Sequence, residues 1–370
     1  MNFRWMGGYK VLRSYAVEDL RAGMKIGRDV LANGSVLYGK GTVLTDADIV
    51  KLSGSMLFSV YIDEDEEQAD ERIEGVEYLL DDDYVNCYEK TMARIQRIYN
   101  RLVKDETLDM NELNVVLSDD NIQKLCDGAK AVSQIHNMSR DGDTVLHHVM
   151  HVGILAGLMG NWMRMPKERM RDLVMSAFLH DVGKKCIPDE ILNKQGKLTD
   201  EEFHEIRKHP EYGYNLLKLG PLKAKNDVLF GIVQHHERCD GSGYPGKLKK
   251  DQINELARII AILDIYDAMA ANRSYARRCS PFDILGVLYE DVLSGKLDTE
   301  YGVHFMRHLC QSLNGNWVAL TNGQKARIVY IDGSGVKSLP VVQTTKNEFI
   351  DLNRRSDIKI QAVLTAREMS

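Results

Sequence analysis

Eleven histidines occur in the chain, and nine of them fall between positions 136 and 236. Imidazoles gathered with carboxylates are common ligands of first-row transition metals. Two adjacent pairs stand out. His180-Asp181 follows the apolar run Leu173–Leu179 and precedes Val182-Gly183-Lys184. It offers one imidazole nitrogen and two carboxylate oxygens, and a carboxylate can bridge two cations. Two cations about 3.5–4 Å apart can hold both the attacking and the leaving oxygen of a phosphate displacement. Taken alone, the pair fits a plain helix end, whose histidine caps the dipole, better than a metal site. The second pair, His235-His236, leads into Glu237-Arg238-Cys239-Asp240-Gly241-Ser242-Gly243-Tyr244-Pro245. Consecutive helical residues point about 100° apart, so both imidazoles reach one site only where a helix ends. The Gly-x-Gly-Tyr-Pro run supplies that end, with backbone that a ligand can approach closely.

Leu179–Lys184 joined to His235–Pro245 resembles the signature of the HD-GYP family of cyclic di-GMP phosphodiesterases, within the HD superfamily of metal-dependent phosphohydrolases. The resemblance covers roughly residues 140–314. It implies a metal-ligand set of His148, His180, Asp181, His209, His235, His236 and Asp264. His147 competes with His148 for the first position, and His151 stands where the family usually has arginine. Asp264 lies in the apolar stretch Ile259–Ala268, where an unpartnered carboxylate is costly. A metal accounts for it, as would a salt bridge to a buried arginine.

A glutamate that holds a third metal in some members is replaced here by Thr144, so two divalent cations are expected. Mixed imidazole and carboxylate ligation suits iron or manganese, with zinc or nickel as further candidates. The cations would lower the pKa of a water so that hydroxide forms near neutral pH. Asp181 and Lys184 are the catalytic candidates, with the Lys184 ammonium placed to stabilise phosphoryl charge. Lys184, Tyr244, Arg273 and Arg277 are the candidate substrate contacts. Ala276 occupies a position that often carries a cation. Asp267 and Asp240 are expected to orient ligands from behind.

The implied reaction is hydrolysis of cyclic di-GMP to linear pGpG, and onward to GMP, in bacterial second-messenger signalling. Two alternatives stay open: a non-catalytic cyclic di-GMP sensor, and a phosphodiesterase for another cyclic dinucleotide such as hybrid cyclic GMP-AMP. The resemblance also implies contact of the Gly-Tyr-Pro loop with a GGDEF protein.

These residues need helices to present them. The expected fold is mainly α: an all-helical HD-type domain over 140–314, with small β-rich modules at 1–75 and 315–370 and a helical segment at 76–139. In that segment Tyr88, Met92, Ile95, Ile98, Tyr99 and Leu102 recur at helical spacing. The stripe fits either a homodimer contact or a helix packed on its own domain. Thr199-x-x-Glu202 and Ser280-Pro281 are helix starts. Residues 15–65 read as short strands and turns, with a hairpin at Asn33-Gly34. Strands are expected at 317–320, 326–331, 340–344 and 358–363, with a turn at Asp332-Gly333.

The 370 residues allow two or three domains, and 44% hydrophobic with 28% charged composition is ordinary for a globular chain. A net charge of −6 without a basic block argues against a nucleic acid polymer as partner. Six cysteines without C-x-x-C spacing read as free thiols. No signal peptide and no membrane span are expected, which points to the cytoplasm.

Overall fold

In the computed structural model the chain is mainly α. The structure describes residues 11–17, 20–27, 29–32, 35–53, 59–64, 82–105, 107–127, 131–132, 135, 144–194, 196–223, 225–271, 280–331 and 339–364. Its contacts divide the chain into two compact units, one of residues 1–78 with 307–359 and one of 79–306 with 360–370.

The first unit begins with β1 (Val11–Ala16), which pairs antiparallel with β4 (Ser59–Glu64). Between them β2 (Val30–Ala32) and β3 (Ser35–Tyr38) form an antiparallel hairpin; its Asn33-Gly34 turn lies outside the described residues. Ile26, Leu44, Leu52, Val60 and Ile62 close a small core here. One element departs from the expectation of strands and turns: α1 (Asp46–Ser53) is a helix. Its start carries a local signal. Thr45 Oγ1 accepts from the Asp48 N–H, and the Asp48 carboxylate accepts from the Thr45 N–H at 3.0 Å. That reciprocal cap satisfies donors that a helix start otherwise leaves open.

The second unit holds the helices. They are α2 (Asp82–Asp105), α3 (Met110–Val116), α4 (Asp119–Leu125), α5 (Thr144–Trp162), α6 (Lys167–Leu179), α7 (Asp189–Leu192), α8 (Asp200–Ile206), α9 (His209–Leu217), α10 (Asn226–Val233), α11 (Glu255–Ala271), α12 (Pro281–Leu293) and α13 (Thr299–Ser312), which runs past the unit boundary. A 3₁₀ turn, Val182–Cys186, follows α6. The capping box at Thr199 opens α8, and Ser280 caps α12. Val149–Gly160 of α5 are all buried, so this helix is apolar on every side because other helices surround it. α5 packs on α6 and α11, and α10 on α6 and α11. The stripe on α2 is covered by its own unit: Tyr88, Ile95, Ile98, Tyr99 and Leu102 are fully buried, and α2 packs on α3, α4 and α5.

After α13, the first unit resumes with β5 (Trp317–Leu320), β6 (Lys325–Tyr330), β7 (Val341–Thr344) and β8 (Phe349–Asp351), each paired antiparallel with the next. The last of these was not expected from sequence, and Asp332-Gly333 lies outside the described residues. A final strand, β9 (Ile360–Val363), falls in the second unit. Among the described residues no helix is long and apolar enough to cross a membrane, and the described cysteines are free thiols.

A buried ion pair anchors the α13 start. Asp298, 2% exposed, accepts from Arg258 Nη1 at 2.6 Å and lies 3.2 Å from Lys250 Nζ. Burial opposes its charge, but bonds from Arg258, Lys250 and the Tyr301 N–H outweigh this and hold its carboxyl below the ordinary value. Asp298→Asn is expected to cost about 1–3 kcal/mol at neutral pH. A lowered carboxyl stabilises the fold above its unfolded pKa and loses that contribution as pH falls through its folded pKa. The gap between wild type and variant in urea unfolding should therefore be constant above about pH 5 and shrink below about pH 4. A gap that widened on acidification would contradict this.

Candidate metal centre

Three of the histidines stand just beyond helix ends and bond backward. His180 Nδ1 donates to the Ala177 carbonyl of α6 at 2.7 Å, and His209 Nδ1 to the Ile206 carbonyl of α8 at 2.8 Å. His235 Nδ1 donates to the Ile232 carbonyl of α10 at 2.6 Å. A carbonyl only accepts, so each Nδ1 carries a proton and each ring turns its Nε2 the other way. The capping reading of His180 is thus met through Nδ1, which leaves Nε2 for the ligand reading.

The free nitrogens converge. His209 Nε2 lies 3.2 Å from His235 Nε2 and 3.2 Å from Asp181 Oδ1. His148 Nε2, from α5, lies 3.0 Å from Asp264 Oδ1 and 3.6 Å from Asp181 Oδ2, and His180 Nε2 lies 3.4 Å from the same Oδ2. Asp181 thus turns one oxygen to His148 and His180 and the other to His209 and His235, the latter 4.0 Å away. Asp264 does likewise, with its second oxygen 3.7 Å from His236 Nδ1. Among the described residues, His148-His180-Asp181 and His209-His235-His236 form two groups whose donor atoms lie close enough to share an ion.

The chemistry of this donor set fits cations. Two imidazole lone pairs facing each other at 3.2 Å repel unless a positive charge lies between or beside them. The buried His180 Nε2 and Asp181 Oδ1 have no hydrogen-bond partner, and burying such atoms unpaired is costly. Ligand bonds of roughly 2.0–2.2 Å place neighbouring donors about 3.0–3.6 Å apart, the spacing of most of these pairs.

Electrostatics agree. Burial alone would disfavour charge at Asp181, yet Lys184 and His180 hold its carboxyl well below the usual range. Asp264 is likewise lowered against burial, through His148 and His236. Burial and neighbouring imidazoles push His235 and His236 well below the ordinary imidazole value, so both present lone pairs. At His148 burial is overcome by Asp264 and Asp267, which push it up to about 10; the same negative field favours any cation.

The remaining candidates separate. Lys184 Nζ sits 2.5 Å from Asp181 Oδ2 and is partly buried. Asp267 accepts from His148 Nδ1 at 2.7 Å, behind the ligand candidate. His147 faces elsewhere, its Nδ1 3.0 Å from the Tyr88 hydroxyl, so of the two it is His148 that faces Asp181 and Asp264. Asp240 departs from expectation: it is exposed, and its carboxylate closes a turn by accepting from Ser242 N and Oγ. The sequence run Asp240-Gly241 is a turn signal that explains this better than ligand support. Among the described residues Asp264 faces His148 and His236, and no arginine pairs with it. Arg273, Ala276 and Arg277, with the Thr144 side chain, lie outside the described residues.

The Gly-Tyr-Pro loop folds back over its own start. A side chain at Gly243 would meet the Arg238 N and Glu237 Cα at 2.4 Å, so only glycine fits. Buried Glu237, given no role from sequence, holds the loop by accepting from Gly246 N at 2.5 Å and Leu248 N at 2.9 Å. Its place between His236 and the glycines was the available signal. Tyr244 stacks on His236 at 4.7 Å, and Arg207 lies 4.3 Å above the tyrosine ring.

A family model for the HD domain matches residues 129–301. A cyclic di-GMP phosphodiesterase of Pseudomonas aeruginosa is 38% identical over 40% of this chain and 35% of its own length. The cyclic di-GMP phosphodiesterase response regulator RpfG of Xanthomonas campestris pv. campestris is 39% identical over 40% of this chain and 39% of its length. The 3'3'-cGAMP-specific phosphodiesterase 2 of Vibrio cholerae is 37% identical over 40% of this chain and 27% of its length. The chain thus matches well under half of each of these relatives. Residues 129–301, just under half of the chain, are thus similar to the HD domain, and they carry both halves of the signature read from the sequence.

Proposed function

We propose that the chain is a metal-dependent phosphodiesterase that opens cyclic di-GMP to linear pGpG, and onward to GMP, in the bacterial cytoplasm. One observation carries the reading: the two oxygens of Asp181 each face a separate pair of imidazole Nε2 atoms. His148, His180, Asp181, His209, His235, His236 and Asp264 would hold two divalent cations, iron or manganese. When bound, such cations withdraw electrons from phosphate oxygens and acidify water for attack on phosphorus.

The other roles belong to the chain. Nδ1 bonds to helix-end carbonyls fix His180, His209 and His235 in one tautomer. Lys184 Nζ steadies Asp181 and places positive charge beside the transferring phosphate. Burial and the charges of Asp264 and Asp181 raise the Tyr244 phenol, which stays protonated and donates to a phosphate or base oxygen. Arg273 and Arg277 are proposed to grip phosphate. A homodimer would use faces of α2 other than its buried stripe, and contact of the Gly-Tyr-Pro loop with a GGDEF protein is kept as a proposal.

Purified protein loaded with Mn²⁺ or Fe²⁺ is expected to convert cyclic di-GMP to pGpG, and excess EDTA to stop turnover. Parallel reactions with 3'3'-cGAMP separate the two substrate classes named for the relatives. Full metal occupancy without product from either nucleotide would contradict hydrolysis and leave a binding module.

A further inference from the structure

Helix α2 lies N-terminal to the segment matched by the HD domain, yet two of its tyrosines reach the elements that carry the candidate ligands. Tyr88 and Tyr99 are eleven residues apart, close to three helical turns, so they share one face about 16 Å apart along the axis. Both are fully buried. A buried phenol hydroxyl needs a partner, and each finds one at the site's edge. Tyr99 donates to the Phe178 carbonyl at 2.8 Å, two residues before His180. That carbonyl neighbours the Ala177 carbonyl which His180 itself uses, so α2 and the ligand candidate jointly finish the end of α6.

At the other end the Tyr88 hydroxyl meets His147 Nδ1 at 3.0 Å, and its ring lies 6.1 Å from that of His151. His151, 2% exposed, donates from Nδ1 to Asp267 Oδ1 at 2.9 Å. The other oxygen of Asp267 accepts from His148 Nδ1 at 2.7 Å. His148 and His151 are one turn apart on α5 and grip the two oxygens of a single carboxylate. Loss of the His151 bond frees Asp267 to rotate, and with it the ring whose Nε2 faces Asp181 and Asp264.

We propose that α2 is a positioning element of the metal centre, acting on His180 through Tyr99 and on His148 through Tyr88, His151 and Asp267. The proposal rests on the reading of His148 and His180 as metal ligands. It gives residues outside the HD segment a route to metal affinity, so a partner or modification that shifted α2 would be read out as metal occupancy.

The test titrates metal-free full-length protein with Co²⁺, following the visible absorption that reports cobalt's ligand geometry, and measures Mn²⁺ affinity in parallel. His151→Leu is expected to weaken binding roughly 10–100-fold and alter the cobalt spectrum. His151→Asn, whose amide can donate to the same Asp267 oxygen, should recover most of the loss. Tyr99→Phe removes the oxygen bonded to the Phe178 carbonyl and Tyr88→Leu the ring beside His151, and each should weaken binding by about 10-fold. Tyr84→Phe, on the same helix but bonded to the Leu125 carbonyl, should not. The tyrosine variants keep the question answerable should His151→Leu fail to fold. Tyrosine and His151 variants with wild-type cobalt spectra and affinities would overturn the proposal. Wild-type protein that takes up no cobalt or manganese would instead overturn the ligand reading beneath it, and this proposal with it.

Discussion

Replacing His180 and Asp181 together by alanine is expected to empty the centre and lower turnover of cyclic di-GMP by about 10³-fold or more. The size follows from the several kcal/mol that cations contribute to a phosphoryl transition state, at roughly 1.4 kcal/mol per tenfold. Asp181 carries most of it. Its two oxygens face different imidazole pairs, so a single loss strips a donor from both candidate cation positions at once. Asp181→Asn isolates the charge from the shape: the side chain keeps its size, but Lys184 loses its counter-ion and the imidazoles lose the carboxylate between them. Metal stoichiometry by elemental analysis and single-turnover hydrolysis check this together. A double variant that keeps both its metal content and its rate would remove Asp181 and His180 from the ligand set.

A smaller change is expected to act almost as strongly. Gly183 lies where the 3₁₀ turn after Asp181 presses on the start of α9. A Cβ there would fall 2.0 Å from the His209 carbonyl oxygen and 2.5 Å from the Gly213 nitrogen. Both are backbone atoms, so no side-chain rotation relieves the clash. Either the turn or α9 must move, and one carries Asp181 while the other begins with His209. Gly183→Ala should cost about 1–3 kcal/mol in unfolding of the metal-free protein. It should also lower metal affinity further than that loss alone explains, since the ligand candidates separate without any being removed. Wild-type stability and metal content in this variant would show that the two segments are not held as closely as described.

The limits of legibility lie at particular residues. The eight residues of α1 are too few to establish a period, so by sequence they resemble strands and turns, although the Thr45–Asp48 cap marks a helix start. The α2 stripe announced burial but not its partner, and only its covering by the same unit tells intramolecular packing from a dimer face. Asp240 lay inside a chemically rich motif and proved to close its own turn, whereas its neighbour Glu237 holds the loop. His147 and His148 are adjacent in a helix and point about 100° apart, so neighbouring elements decide which one enters the site.

By itself the sequence determined that histidines and carboxylates cluster in two motifs, that helices carry them, and which residue types could hold cations. Those facts live in composition and short spacing. Tertiary structure alone decided which nitrogen and which oxygen face each other. His148 meets Asp264 and Asp267 across 116 and 119 residues of chain, and such contacts follow from how α5 and α11 pack. The division of the Asp181 oxygens between two imidazole pairs has the same origin. It depends on the approach of the turn to α9 at Gly183, a backbone distance that no local pattern encodes.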